Sequence, residues 1–372
     1  MNTVSLSRLI ALGLVLALLA GCGPAAPAAA PTTAPAAAPA AVSPTPAAEK
    51  ATATAVPATT APEPAQAPKA AKKLKVAEIL SVPIDDMGFG QAGYLGLKEI
   101  EKQLGAEIAF AEKVPVSDFE QAFRQYAESG YDVIIGHGAE FSDVALKVAP
   151  DYPNVKFIVD SNPDCHNDKN VAGITGKTWE AAYLLGMVAG SMTRSGHIGG
   201  IAGFDFPILI SQMEAYRLGA QAVRPDVKVT VVYLGTFDDV SKGKEAALAQ
   251  VSAGVDVIFH IADAAGIGII KAAADKGIYA IGWGLDQNSL APKTVLSSLL
   301  FGNDKLMVQD VKMIQEGTWT PEMRLYGLNT GVVGIADFHG LVPDDVAKKV
   351  EQAKQDIISG KLEVPYITTA SK

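Results

Sequence analysis

Apolar and polar positions along residues 73–174 alternate in the rhythm of strands followed by helices. Short apolar runs rich in β-branched side chains predict strands at 74–82, 108–111, 132–136, 156–160 and 171–174. Amphipathic segments with helical spacing lie between most of these runs, at 95–104, 118–129 and 141–149. Strands that alternate with helices of this length are typical of βαβ units, so the pattern predicts a parallel sheet covered by helices on both faces.

The alternation breaks at residues 175–178 and then restarts. The second half has predicted helices at 179–193, 208–223, 241–253, 267–276 and 305–316. Its predicted strands are at 197–202, 227–233, 255–261, 279–283 and 295–300. Two sets of βα units favour an α/β protein with two Rossmann-like lobes, each with its own parallel sheet. A single (βα)8 barrel needs a similar number of units and is the alternative, but the break resembles a crossover between lobes.

Carboxylates and aromatic rings recur directly after the predicted strands, where open α/β sheets bind their ligands. In the first half these residues are Asp85, Asp86, Phe89, His137, Gly138 and Glu140. In the second half they include Phe206, Asp263, Trp283 and Asp286. An aromatic face beside several acceptors suits a flat, uncharged ligand, and a vicinal diol can donate two hydrogen bonds to one carboxylate. The alternative for each aspartate is a helix N-cap, and for each phenylalanine a plug at the edge of a lobe.

The net charge and the absence of several sequence motifs argue against a number of functional classes. The net charge of −9, without a Lys- or Arg-rich tract, argues against a nucleic-acid partner. The histidines and cysteines do not have metal-ligand spacing, and there is no G-x-S-x-G nucleophile motif. The stretch at 171–178 resembles a P-loop but has Val171 in place of the first glycine. We therefore predict no metal, no cofactor and no catalytic residue.

The N-terminal segment predicts an export signal followed by a tether. The apolar run at 9–20 is shorter than the ~20 residues of a bilayer span, and it ends in Leu19-Ala20-Gly21-Cys22. This tetrapeptide resembles the bacterial lipobox, which predicts a lipoprotein signal peptide at 1–22 and lipidation of Cys22; an ordinary signal peptide with a chance cysteine is the alternative. Residues 23–72 are nearly all Ala, Pro and Thr, which predicts a disordered tether with a reach of roughly 40 Å. The body would then be anchored to the outer face of the cytoplasmic membrane.

The stretch DDMGFGQAGYLG at 85–96 resembles the signature DDKSFNQSAWEG of the basic-membrane-protein family. These are substrate-binding lipoproteins of ABC transporters and include purine-nucleoside receptors. Similar stretches follow in the family's order, at 131–143, 152–162, 178–190, 281–287 and 295–300. The resemblance implies the type I periplasmic-binding-protein architecture, in which two lobes joined by three crossovers close on a ligand. We expect the first lobe at 73–174 and 287–318 and the second lobe at 175–286 and 319–372.

Carried over position by position, the resemblance implies that Asp86 hydrogen-bonds a base and that Phe89 stacks on it. It also implies a ribose contact for Asp286. The chain departs from the family at Gly90, an asparagine in the family, and at Gly284, often an aspartate. Asp263 and Phe301 match a related subgroup of the family. The full candidate ligand-binding set is Asp85, Asp86, Phe89, Gln91, His137, Gly138, Trp179, Phe206, Asp263, Trp283 and Asp286.

The hypothesis from the sequence is a lipid-anchored receptor that works as a monomer. It captures a nucleoside or a related purine outside the cytoplasmic membrane and delivers it to an ABC permease. One alternative is the same scaffold with another small polar ligand, such as a sugar, an amino-acid derivative or a signalling molecule. The other is an extracellular nucleoside hydrolase.

Overall fold

The computed structural model describes residues 73–162 and 164–371. The predicted signal peptide, Cys22 and the predicted tether lie outside the described residues. The strands are β1 (Lys75–Leu80), β2 (Glu107–Ala111), β3 (Val133–His137), β4 (Lys156–Asp160), β5 (Val171–Gly176), β6 (His197–Ala202), β7 (Lys228–Tyr233), β8 (Val257–Ile261), β9 (Tyr279–Gly284), β10 (Val295–Leu300), β11 (Arg324–Tyr326) and β12 (Gly334–Ile335).

Helices fill most connections between these strands. They are α1 (Phe89–Leu104), α2 (Phe119–Glu128), α3 (Ser142–Val148), α4 (Thr178–Met192), α5 (Pro207–Val223), α6 (Val240–Ser252), α7 (Asp263–Lys276), α8 (Asn303–Glu316) and α9 (Asp344–Ile358). None of the helices in the described part of the chain is long and apolar enough to cross a membrane.

The strands form two separate sheets of related topology. The first has the order β11-β5-β4-β3-β1-β2 and the second has the order β12-β10-β9-β8-β6-β7. Among the described residues these strands pair in parallel, except for the short antiparallel pairing of β10 with β12. Central strands such as β3 and β8 are buried along their whole length, as expected of parallel strands covered on both faces. The prediction of two Rossmann-like lobes is confirmed, and the barrel alternative is wrong.

The chain passes between the sheets three times, as the family resemblance implies. It leaves the first sheet after β5, returns after β10, and leaves again between β11 and β12. The predicted lobe boundaries need a correction in the segment 287–318. β10 pairs with β9 and so belongs to the second sheet, whereas α8 packs against α1 in the first lobe. β11, which was expected in the second lobe, pairs with β5 in the first.

Two helices of the site begin earlier than the sequence predicts. α1 starts at Phe89 instead of residue 95, and α7 starts at Asp263 instead of residue 267. The chain between Asp86 and Phe89 is therefore short, and two candidate side chains stand in the first turns of helices. Both helices begin at the carboxyl ends of strands, the edge where ligands bind in open α/β sheets.

Candidate ligand-binding site between the two lobes

The start of α1 in the first lobe touches the strand tips of the second lobe. The backbone N–H of Phe89 donates to Oδ1 of Asp263 at 2.8 Å, and Nε2 of Gln287 donates to the carbonyl oxygen of Met87 at 2.9 Å. Gly284 adopts a φ of 90°, and a Cβ there would lie 3.2 Å from Cα of Gly88. The family's frequent aspartate at this position would press against the opposite lobe. The glycine at 284 therefore permits a close contact between the lobes.

Asp86 shapes the loop that leads into α1. Its carboxylate accepts the backbone N–H groups of Gly88 and Gln91 through Oδ1 and that of Gly90 through Oδ2, at 2.8 to 3.0 Å. The side chain is 4% exposed. These bonds satisfy free donors of the first helical turn, which is the capping role that the sequence left open for each aspartate. Asp85 next to it is exposed.

Aromatic rings form a continuous path across the contact between the lobes. Phe89 lies on His137 with ring centroids 3.8 Å apart and an interplanar angle of 18°. It meets Phe301 edge-on at 5.7 Å, and Phe301 meets Trp283 edge-on at 4.6 Å. The indole N–H of Trp283 donates to Oε1 of Gln212 at 2.8 Å, which fixes the orientation of the indole. Phe89 and Trp283, predicted from separate halves of the sequence, are thus connected through one ring.

Asp263 places a buried carboxyl beside this path. It is 3% exposed and has a φ of 41°, in the left-handed region that costs energy for a residue other than glycine. Burial, and next the charge of Asp86, raise the pKa of Asp263 to about 8. The shift favours the protonated form, which presents one O–H donor in addition to acceptor oxygens.

His137 and Gly138 sit beneath the ring of Phe89, at the end of β3. His137 is fully buried and holds the Phe89 carbonyl through Nε2 at 2.9 Å. Gly138 has a φ of 135°, and a Cβ there would collide with the carboxylate of Glu140. Glu140 is exposed and accepts the hydroxyl of Ser81 at 2.6 Å. These residues form the floor under Phe89.

Three predicted residues lie outside this group. Trp179 packs against the C-terminal segment: its indole N–H donates to the carbonyl of Val364 at 3.2 Å, and its ring lies 4.7 Å from that of Tyr366. We therefore leave Trp179 out of the site. The other two are Phe206 and Asp286, and both are exposed.

Phe206 and Asp286 stand at the rim of the second lobe. Phe206 stacks on Phe204 with centroids 5.2 Å apart, and this pair adjoins Phe237, whose carbonyl accepts the N–H of Ala265 in the first turn of α7. Asp286 pairs with His339 at 3.0 Å. Both positions lie beside strand tips, but within the described residues their ring contacts and polar contacts do not include Phe89 or Asp263.

Sequence reasoning missed Gln287, a central residue of this contact. It is 1% exposed, and its Oε1 accepts Nε2–H of His260 at 2.7 Å and the backbone N–H of Trp283 at 3.1 Å. Its amide also makes the bond to Met87 across the lobes. The signal was its place at the end of the IGWGLDQ stretch, directly after the candidate Asp286.

No group of side chains in residues 73–162 and 164–371 is arranged to hold a metal ion. The groups that converge are aromatic rings and the buried carboxyl groups of Asp86 and Asp263. Such a set can stack on a planar ligand and form a few directed hydrogen bonds with it.

Known proteins resemble this chain along the whole body. A family model described as ABC transporter substrate-binding protein PnrA-like matches residues 73–368. A purine-binding protein of Brucella abortus is 30% identical over 296 residues, covering 79% of this chain and 83% of that protein. Basic membrane protein A2 of Borrelia garinii is 28% identical over 299 residues, covering 78% and 88%. The crystal structure of an ABC transporter solute-binding protein from Aeropyrum pernix matches with a TM-score of 0.70 at 25% identity, covering 78% and 94%.

Proposed function

Because this chain belongs to the PnrA-like family of ABC transporter substrate-binding proteins, we propose that its ligand is a purine nucleoside or a related purine. The fold is the type I periplasmic-binding-protein architecture, shared with the Aeropyrum pernix solute-binding protein. Members of this family bind a small molecule outside the cytoplasm for a membrane permease, and they are binding proteins, not enzymes. The nucleoside hydrolase alternative is therefore set aside.

The observation that carries the proposal is the position of the Phe89 ring at the contact between the lobes. One face of the ring lies on His137, and one edge meets Phe301 of the second lobe. The ring is partly exposed, and we assign its exposed surface to a planar ligand. Offset stacking of aromatic systems contributes ~0.5–1.5 kcal/mol beyond the burial of surface. A purine fits this surface, and the relative from Brucella abortus that is 30% identical is named as purine-binding.

Asp263 supplies the hydrogen bonds that distinguish a purine from an apolar ring. A protonated carboxyl offers a donor and an acceptor side by side. The edge of a purine presents the same alternation of ring nitrogens and amino or carbonyl groups. We place Asp263 on that edge, in the closed form in which its Oδ1 also accepts the N–H of Phe89.

The remaining carboxylates of the set have different roles in the proposal. Both carboxylate oxygens of Asp86 accept backbone N–H groups at the start of α1. We therefore propose that Asp86 holds Phe89 in position and does not contact the base. Asp286 is exposed, with one oxygen paired to His339 and the other accepting the N–H of Asn288, and we keep it as the contact to a ribose hydroxyl that the family resemblance implies. Gln91 and Phe206 extend the surface around the ligand at the start of α1 and at the rim of the second lobe.

We also propose that Cys22 carries the lipid that tethers this monomeric receptor to the outer face of the cytoplasmic membrane. The motif Leu19-Ala20-Gly21-Cys22 supports this, together with the Ala/Pro/Thr-rich stretch that follows. Cys22→Ser should move the protein from the membrane fraction to the soluble exported fraction. If the Cys22→Ser protein stays bound to the membrane after high-salt washing, the proposal that a lipid on Cys22 anchors the protein is wrong.

The experiment that tests the ligand class is isothermal calorimetry on protein stripped of bound ligand by unfolding and refolding. The panel is adenosine, guanosine, inosine, cytidine, adenine, ribose, glucose and adenosine monophosphate. We expect submicromolar binding of purine nucleosides and no binding of the monophosphate, because carboxylates line the surroundings of the site. If adenine binds as tightly as adenosine, the ribose adds no affinity, and the proposed contact of Asp286 with the sugar is wrong. Binding of glucose alone would contradict the purine assignment.

A further inference from the structure

The end of β3 holds an imidazole ring between two hydrogen-bond acceptors. His137 Nε2 lies 2.9 Å from the carbonyl oxygen of Phe89, and Nδ1 lies 3.1 Å from Oδ2 of Asp160. That same Oδ2 accepts a hydrogen bond from Nδ2 of Asn303 at 3.0 Å. Nε2 carries the proton that it donates to the Phe89 carbonyl, and Nδ1 faces Oδ2 of Asp160 as an ion pair, outside hydrogen-bond geometry. A lone pair on Nδ1 would be repelled by the carboxylate at this distance, so the geometry favours the doubly protonated imidazolium.

The strand register places two carboxylates beside this ring. His137 ends β3 and adjoins Asp160, which ends the neighbouring β4. Glu78 on β1 pairs with Ile135, two residues before His137, so Glu78 and His137 lie on one face of the sheet. Glu78 is fully buried, and its Oε1 is 3.8 Å from Nδ1 of His137. Within the described residues neither oxygen of Glu78 has a hydrogen-bond partner, so its influence on the ring is electrostatic.

Helix α1 lies directly on this buried group. The ring of Phe89 covers the imidazole at a centroid distance of 3.8 Å. One turn later, a Cβ at Gly93 would come within 2.7 Å of both Glu78 and the ring of His137, so only glycine fits the approach. A cation under an aromatic face is attracted by the electrons of the ring. The start of α1 is thus fixed from below by a charge.

We propose that His137, held as an imidazolium by Asp160 and Glu78, is the positioning residue that fixes the ring of Phe89 for the ligand. His137 is fully buried, so it acts through Phe89 and not by direct contact, which revises the ligand contact expected from the sequence. The proposal rests on the proposed function in one respect, since Phe89 is taken as the stacking surface. It adds Glu78 and Asp160 to the residues on which the site depends.

The support of Phe89 is consequently linked to pH. The titratable groups that face His137 are Glu78 from β1, Asp160 from β4 and Asp263 from α7 of the second lobe. Burial lowers the pKa of His137, but the bond to Asp160 and the charges of Asp160 and Glu78 outweigh it and raise the pKa to about 9. The ordinary value of histidine in the unfolded chain is about 6.5, so the contribution of His137 is lost as the pH rises through about 9. Burial raises the pKa of Glu78 to about 7, so the charge of Glu78 supports the imidazolium above that pH and is lost below it.

A first test needs no ligand. The side-chain resonance of His137, observed in protein with isotopically labelled histidine and phenylalanine, should titrate with a midpoint near pH 9. The ring resonances of Phe89 should shift with the same midpoint, because the imidazole lies against that ring. A midpoint of His137 near the ordinary value of about 6.5 would overturn the proposal. Phe89 resonances that do not shift while His137 titrates would also overturn it.

A matched pair of variants separates a charge effect from a structural one. Glu78→Gln keeps the shape but removes the charge, and it should lower the midpoint of His137 by about one pH unit or more. Glu101→Gln, an exposed carboxylate near the other end of α1, should leave the midpoint unchanged. An unchanged midpoint in Glu78→Gln would contradict the assigned role of Glu78.

Adenosine is the probe for the effect on binding. Its affinity for the wild type should fall as the pH rises through the titrations of Asp263 and His137. The part of the fall that belongs to His137 should move to lower pH in Glu78→Gln by the same interval as the resonance midpoint, and the part that belongs to Asp263 should not move. An affinity that stays flat while His137 titrates would overturn the positioning role. If adenosine does not bind at any pH, the proposed function fails, and the resonance titration still decides whether a charged His137 holds Phe89.

Discussion

The two lobes bury a histidine near the end of the equivalent strand, and the pKa of that histidine shifts in opposite directions. β3 and β8 occupy the same position in the two sheets; His137 ends β3, and His260 is the next-to-last residue of β8. Both rings are fully buried. His137 faces two carboxylates, and its pKa is raised to about 9; His260 meets the amide oxygen of Gln287, and burial lowers its pKa to about 4. The fold provides the position, and the neighbours decide the charge.

The difference extends to the residues that face the ligand. In the first lobe the charged histidine lies under Phe89, which we propose as the stacking surface. In the second lobe burial lowers the pKa of His260 and raises the pKa of Asp263, so the neutral form of each is favoured and the two groups offer hydrogen bonds. One lobe thus holds an aromatic ring in place, and the other provides directional recognition.

Removal of the two histidines should give the largest contrast. His137→Phe leaves Glu78 and Asp160 buried without their cation, which should lower the free energy of unfolding at pH 8 by about 3–5 kcal/mol. His260→Phe removes one neutral hydrogen bond and should lower it by about 1–3 kcal/mol. Urea denaturation of both variants measures the difference. Equal decreases in the free energy of unfolding would mean that the charge on His137 does not contribute to stability.

Asp263 should tolerate loss of its charge but not loss of its polar atoms. Asp263→Asn keeps a donor and an acceptor in the same shape, so adenosine should bind at pH 7 within about two-fold of wild type. Asp263→Ala removes both groups and should weaken binding by about five- to ten-fold, as expected for one or two hydrogen bonds. Calorimetry on both variants checks this. A tenfold loss in Asp263→Asn would show that the ionised carboxylate is the binding form.

Most of the fold was predictable because buried parallel strands are continuous apolar runs. β6 and β10 have the predicted bounds, 197–202 and 295–300. β11 and β12 span three and two residues, too short for any pattern, and they form through pairing with distant strands. α9 was also missed, although its sequence DDVAKKVEQAKQDII has clear helical spacing. Lobe membership of β10 depended on its pairing with β9, which local pattern does not encode.

The site was predicted less completely because glycines near the start of α1 weaken the helical pattern of the sequence there. Gly88, Gly90, Gly93 and Gly96 lower the helix propensity around the start of α1, so Phe89 was expected in a loop. The structure accepts that cost because Gly93 sits against Glu78 and His137. Glu78 itself was visible as a carboxylate inside an apolar strand. Its partners on β3 and β4 could not be identified without the sheet register.

The most direct measurement is the affinity of adenosine for Phe89→Ala beside Phe110→Ala. Both substitutions remove a phenyl ring from the first lobe, but Phe110 is on the edge strand β2 and is 38% exposed. Calorimetry should show binding weakened about ten-fold or more in Phe89→Ala, which corresponds to about 1.4 kcal/mol or more, and unchanged in Phe110→Ala. Equal affinities in the two variants would contradict the assignment of Phe89 as the surface on which the ligand stacks.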